Sequence, residues 1–145
     1  FLTNYLIFKA YIPTGSMRPT IMEEDEVIVS KIYTSINRGD IFVFSHESSE
    51  ELLIKRVVGL PGEKVEVKDG LLYVNDVFID EPYVKNNEPM NKTFYVPEGN
   101  YLFFGDNRAR SEDARRWENP YVPKKNLDGK ALFTVYPKDR IGFLK

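Results

Sequence analysis

Apolar and polar residues alternate along most of this chain with the period of two that marks strands. Val27–Lys31 and Ile41–Ser45 are short β-rich runs, and Asn37-Arg-Gly-Asp40 between them reads as a turn. Lys64-Val-Glu-Val-Lys68 alternates cleanly. Asp69-Gly70 fits a two-residue hairpin turn into Leu71–Val74, and Asn75-Asp76 a second one before Val77–Ile79. Glu51–Leu60 is a longer run closed by Gly59-Leu-Pro-Gly62, and Tyr101–Phe104 and Ala131–Tyr136 are further strands. Residues 80–100, rich in Asn, Pro and Glu, read as a surface excursion. Residues 105–130 read as a polar loop with one helical turn near Pro123–Leu127. Many short strands with frequent turns predict a mainly β fold of coiled antiparallel sheets or a small β-barrel-like body, with one or two short helices.

Composition narrows the chemistry. The 145 residues include no cysteine and one histidine, His46. Disulfides, thiolate metal sites, a cysteine nucleophile and any site with two imidazoles from one chain are therefore excluded. Carboxylate, hydroxyl and lysine chemistry remain. The formal net charge is -2, with an acidic excess up to residue 105 and a basic excess after it. That asymmetry is either an ordinary solvated surface or a basic end that sits near anionic lipid head groups or nucleic acid; with acids interleaved among the bases and a net acidic chain, no nucleic-acid partner is expected. The opening run Phe1–Ile12 is apolar but shorter than the roughly 20 residues that span a bilayer. It is either an element packed on the core or the outer end of a membrane-anchor region.

Three segments carry candidate chemistry. In Ile12-Pro-Thr-Gly-Ser-Met-Arg-Pro-Thr20, Gly15 permits a tight turn that presents the Ser16 hydroxyl, with prolines on either side; a plain turn before a strand is the alternative. In Leu52–Leu60, alternation sends Lys55 and Arg56 to opposite faces of an apolar run, which is either a solvated edge strand or a strand that buries a cation. Arginine is not deprotonated in proteins, so the candidate base is Lys55. To act as one, its pKa must fall from near 10.4 to roughly 7–8, about 4 kcal/mol of differential solvation. Gly105–Trp117 is dense in paired charge. Asp106, Arg108, Ser111, Asp113 and Arg115 suit an ion-paired, hydrogen-bonded loop behind a buried strand.

Together these segments, with Arg38-Gly-Asp-Ile-Phe-Val-Phe44, resemble the four sequence boxes of the bacterial type I signal peptidases, in the family's order and over about Tyr11–Tyr136. These are serine/lysine enzymes that cleave secretory leader peptides, and this chain is similar to their short, Gram-positive-like form. The resemblance implies Ser16 as nucleophile, Lys55 as general base and Ser111 as the hydroxyl that orients the lysine amine. It also implies an oxyanion hole from the Ser16 N–H and the Thr14 side chain. Arg56 with Asp106, Asp113 with Arg115, and Gly105 would support the site. Ile12, Pro13, Met17, Ile21, Leu53 and Ile54 would line small apolar substrate pockets. The family often has serine at Thr14, serine at Ala114 and tyrosine at Leu53. Its histidine-using branch differs at the base; His46 lies outside the lysine box and is read as a surface residue.

No cofactor is implied. The implied partners are secretory preproteins with Ala-X-Ala cleavage sites and a membrane lipid surface. The implied location is the extracytoplasmic side of a bacterial plasma membrane, on a single-pass anchor absent from this chain. Residues 1–10 would then be juxtamembrane and 11–145 a single catalytic domain, with 63–100 a reduced second lobe. Two other readings stand beside this one. One is a self-cleaving serine/lysine peptidase of the repressor type. The other is a catalytically silent β-domain for assembly or binding, which would leave Ser16 and Lys55 far apart or exposed.

Overall fold

The computed structural model describes residues 6–145. The chain runs through β1 (Ile7–Tyr11), β2 (Glu26–Ser30), β3 (Ile41–His46) and the long β4 (Ser49–Gly59). It then forms β5 (Lys64–Lys68), β6 (Leu71–Val74), β7 (Val77–Ile79) and β8 (Lys92–Tyr95). β9 (Asn100–Phe104), β10 (Tyr121–Pro123), β11 (Leu127–Tyr136) and β12 (Gly142–Phe143) complete it. Two antiparallel sheets result. The larger has the order β1-β2-β11-β3-β4-β9-β10, with β12 pairing β11, and the smaller is β7-β6-β5-β8. Among the described residues the larger sheet does not close into a barrel. Beyond Leu6, helical structure is limited to three single 3-10 turns, one of them at Lys124–Asn126.

β3 shows why the central strands read as unbroken apolar runs. It lies between β4 and β11 and is covered on both faces, as a strand inside a packed body must be. Ile41 and Val43 join a cluster with Ile12, Met17, Ile21, Val27 and Val29, while Phe42 and Phe44 join Val57, Phe103 and Val122. The smaller sheet alternates instead. Val65, Val67, Leu72, Val74 and Phe94 turn inward onto Val58, Leu102 and Phe104. Both of its hairpin turns have the paired left-handed residues of a two-residue loop, Asp69 (φ 52°) with Gly70 (φ 81°) and Asn75 (φ 49°) with Asp76 (φ 69°).

Several expectations need correction. Residues 80–100 are not merely a surface excursion. β8 pairs with β5, and Glu81 and Glu88 bind arginines of the segment after β9. A four-residue strand with one buried side chain, Phe94, leaves too short an alternation to read. β10 ends in Pro123, which is tolerated because it is an edge strand. His46 is buried, not on the surface. Its ring stacks on Trp117 at 4.0 Å, with Nδ1 bonded to Ser48 and Nε2 to the Asn119 carbonyl. The partners that cover it come from a remote segment. The juxtamembrane reading of residues 1–10 falls partly on 1–5, which lie outside the described residues; Ile7–Tyr11 is a strand along β2.

Candidate active site

The site forms where three segments meet: the turn after β1, the middle of β4, and the segment that follows β9. At Lys55 β4 is paired with β3 on one side, and β9 joins its other side from Arg56 onward. This register sets Lys55 opposite Phe42 of β3, and Arg56 between Ile41 and Phe104. Lys55 and Arg56 are both buried, at 3% and 1% exposure.

Lys55 Nζ donates to Ser16 Oγ at 2.7 Å and reaches Ser111 Oγ at 3.4 Å. Ser16 and Ser111 are themselves buried. Thr14 is exposed, and its hydroxyl donates to Ser16 Oγ at 3.4 Å. Among the described residues the Ser16 N–H donates to no protein acceptor, so it is available to a developing oxyanion.

Burial pushes the Lys55 amine down to about 8, because an ammonium loses its hydration there. The carboxylate of Asp113 pulls it back up and the Arg115 guanidinium presses it down. The pair is therefore a hydroxyl in contact with an amine that sheds its proton around pH 8.

The turn is fastened to the segment after β9. Asn107 N–H donates to the Ser16 carbonyl at 2.9 Å, and Asn107 Nδ2 donates to the Gly15 carbonyl at 3.0 Å. Gly105 lies wedged between them. A Cβ at that position would come within 2.7 Å of both the Ser16 carbonyl oxygen and Ser111 Cβ, so only glycine lets the two hydroxyl-bearing segments approach. Arg56 grips Asp106 through Nε at 2.9 Å and Nη2 at 2.7 Å, gives Nη1 to the Gly39 carbonyl, and stacks on the Tyr83 ring at 3.8 Å. Thr20 Oγ1 donates at 2.6 Å to Asp106 Oδ2, the oxygen that also accepts from Arg56 Nη2, which ties the turn to the same carboxylate.

Asp113 accepts from the Gly105 N–H at 2.9 Å and from Arg115 Nε and Nη2 at 2.8 and 2.9 Å. Burial alone would raise the Asp113 carboxyl; the Arg115 bonds and charge outweigh it and hold the carboxyl below its ordinary value. Burial, then the Glu81 carboxylate beside it, raises the Tyr83 phenol above its usual range.

The residues expected to form substrate pockets are divided. Ile12, Met17 and Ile21 are buried core side chains, and half-buried Ile54 packs on that cluster. Leu53 belongs to the neighbouring aromatic cluster, and Pro13 is exposed.

Four supports are not evident from the sequence: Asn107 as the clamp on the turn, half-buried Glu81 as the partner of Arg108 (2.7 Å), Tyr83 beneath Arg56, and Glu88 on Arg115. Gly105-Asp-Asn-Arg108 was the only local signal. No group of metal-ligating side chains forms among the described residues.

The family model described as "Signal peptidase, peptidase S26" matches residues 1–136. The chain is 36% identical to a probable signal peptidase I-2 of Synechocystis, over 92% of this chain and 65% of that protein, just under two thirds of its length. It is 38% identical to a signal peptidase I of Leptolyngbya laminosa, over 92% of this chain and 71% of that one. Signal peptidase I P of Bacillus subtilis subsp. natto is 34% identical over 100% of this chain and 86% of its own. The crystal structure of a signal peptidase I from Enterococcus faecalis superposes with a TM-score of 0.60 at 33% identity, covering 68% of this chain and 98% of that chain.

Proposed function

The chain belongs to the signal peptidase family, peptidase S26, and from that premise we propose that it is a serine endopeptidase that removes N-terminal signal peptides from secreted preproteins, with Ser16 as nucleophile and Lys55 as general base. The observation that carries this is the 2.7 Å contact between a buried, readily deprotonated amine and a buried hydroxyl.

Neutral Lys55 takes the Ser16 proton as Oγ attacks the scissile carbonyl. The Ser16 N–H and the Thr14 hydroxyl stabilise the oxyanion. As the C–N bond breaks, Lys55 returns the proton to the leaving amine. It then takes a proton from water as the water oxygen attacks the acyl ester, and passes that proton to Ser16 Oγ as the ester C–O bond breaks, which restores the hydroxyl and the neutral amine. Ser111 holds the amine in line throughout. Arg56–Asp106 and Asp113–Arg115 act as positioning pairs.

The signal-peptide side of the substrate enters as an added strand. β4 pairs with β9 only from Arg56 onward, so among the described residues the Ser49–Ile54 edge on that side has no strand partner and leads directly to Lys55. Backbone hydrogen bonds give affinity there, and small Ala-X-Ala side chains fit beside Ile54 and Leu53. Residues 11–145 then form one catalytic domain, with the four-stranded sheet as a reduced second lobe.

Family members are membrane-associated, and no helix among the described residues is long and apolar enough to cross a membrane. We place the domain on the extracytoplasmic face of a bacterial plasma membrane, where it meets preproteins at the lipid surface. The separated or exposed Ser16 and Lys55 required of a silent β-domain are not seen, and no observation favours a repressor-type peptidase. The test is cleavage of a preprotein with an Ala-X-Ala site. The domain is expected to cut it after the second alanine and Ser16→Ala to lose the activity while keeping its thermal transition. Full cleavage by Ser16→Ala would refute the assignment.

A further inference from the structure

We propose that the cleft beside the nucleophile turn receives the residues that follow the scissile bond and favours acidic side chains there. This rests on the peptide-cleavage reading above. The cleft has a volume of about 840 Å³ and is bordered by Gly15, Arg18, Lys85, Asn86, Asn107 and Arg110. That is room enough for side chains of a bound peptide.

Three observations converge. The first is continuity with Ser16. Gly15 and Asn107 are at once the wall of the cleft and the clamp on the turn that holds the hydroxyl. The cleft includes no residue of the β4 edge, to which the acyl side of the substrate is assigned. A peptide that crosses Ser16 has two arms, and the turn borders this cleft with the arm left over.

The second is charge. Arg18 is neutralised by Glu23 on the same rim. Lys85 and Arg110 are exposed and, among the described residues, have no ion-pair partner. Two uncompensated cations therefore face the cleft on a chain whose overall charge is negative.

The third is rigidity. Lys85 N–H donates to the Asp106 carbonyl at 3.0 Å and the Lys85 carbonyl accepts from Arg108 N–H at 3.1 Å. The Asn86 carbonyl accepts from Ala109 N–H at 2.8 Å, and Asn86 Nδ2 donates to Asn107 Oδ1 at 2.7 Å. The backbone that bears both cations is thus bolted to the segment that forms the site. Exposed cations on an anchored backbone leave only their own side-chain freedom to be lost on binding, a smaller entropic cost than for cations on a mobile loop.

The experiment uses three peptides with one Ala-X-Ala site that differ only at the second to fourth positions after the cut, carrying Asp, Gln or Lys. The ratio of kcat/KM for the Asp peptide over the Lys peptide is expected to be about tenfold at low salt, as two exposed charge contacts give. It should shrink toward one in about 0.5 M salt, where such contacts are screened. Lys85→Ala/Arg110→Ala should bring the ratio near one, and Lys85→Glu/Arg110→Glu should invert it, with thermal unfolding checking the fold of each. A ratio near one in the parent, or a ratio unchanged in the reversed variant, would overturn the inference while leaving the peptidase reading intact. Failure to cleave any of the three would sink that reading and this inference with it.

Discussion

Lys55 can be tested twice with one substitution, because its burial affects both rate and stability. Desolvation lowers the amine from 10.5 to about 8. At neutral pH the basic form is then about a tenth of the population, some 300-fold more than for an unperturbed lysine. The pH profile of kcat/KM reports the free enzyme's base, so it should rise with pH and level off above an apparent pKa of about 8. The same fall makes a stability statement. The folded pKa lies below the unfolded one, so the native state disfavours the charged amine. That penalty is fully present below about pH 8 and is relieved as pH rises toward 10.5. Its size follows from the fall in pKa, about 3 kcal/mol. Lys55→Met removes the titrating group along with its bonds to Ser16 and Ser111. The variant should be inactive, and its stability advantage over the parent, followed by denaturant unfolding from pH 7 to 10.5, should fall by about 3 kcal/mol. An acid limb near pH 10, a profile flat from pH 6 to 9, or a stability difference independent of pH would each refute the reasoning.

Two further substitutions probe the surroundings. Thr14→Val removes a hydroxyl from the oxyanion side while keeping the side-chain shape. It should lower kcat by about 10²–10³ with KM little changed, and Thr14→Ser should restore the rate. Gly105→Ala inserts a methyl 2.7 Å from the Ser16 carbonyl. It should cost about 1–3 kcal/mol in denaturant unfolding and reduce cleavage far more than that loss explains, by spreading Ser16 and Ser111 apart.

The strands could be read from the sequence because their causes are local. Asp69-Gly70 and Asn75-Asp76 dictate their hairpins by backbone preference alone, and the Ile41–Ser45 run declares a strand, though not that both its faces are covered. β8 and β10 were not legible. Each has one buried side chain, and their partners were chosen by what β5 and β9 left open. At the site, composition left hydroxyl, carboxylate and lysine chemistry open, and it was the resemblance of the four sequence boxes that singled out Ser16 and Lys55. The clamps from Asn107, Glu81, Tyr83 and Glu88 escaped notice because Asn, Glu and Tyr in a polar stretch look the same whether they are solvated or docked.

The sequence by itself determined which chemistry was possible: no thiol, a single imidazole, and a lysine placed in an apolar run. Tertiary structure decided whether that lysine could act. Ser16, Lys55 and Ser111 are 39 and 56 positions apart along the chain. Their contact depends on Gly105 allowing two backbones to meet and on ion pairs from three segments holding them there. The lowered pKa has the same origin, since desolvation is set by everything that packs around an amine and not by its neighbours in sequence. His46 shows the converse: isolated in sequence, it is buried against Trp117, with both ring nitrogens engaged by Ser48 and the Asn119 carbonyl.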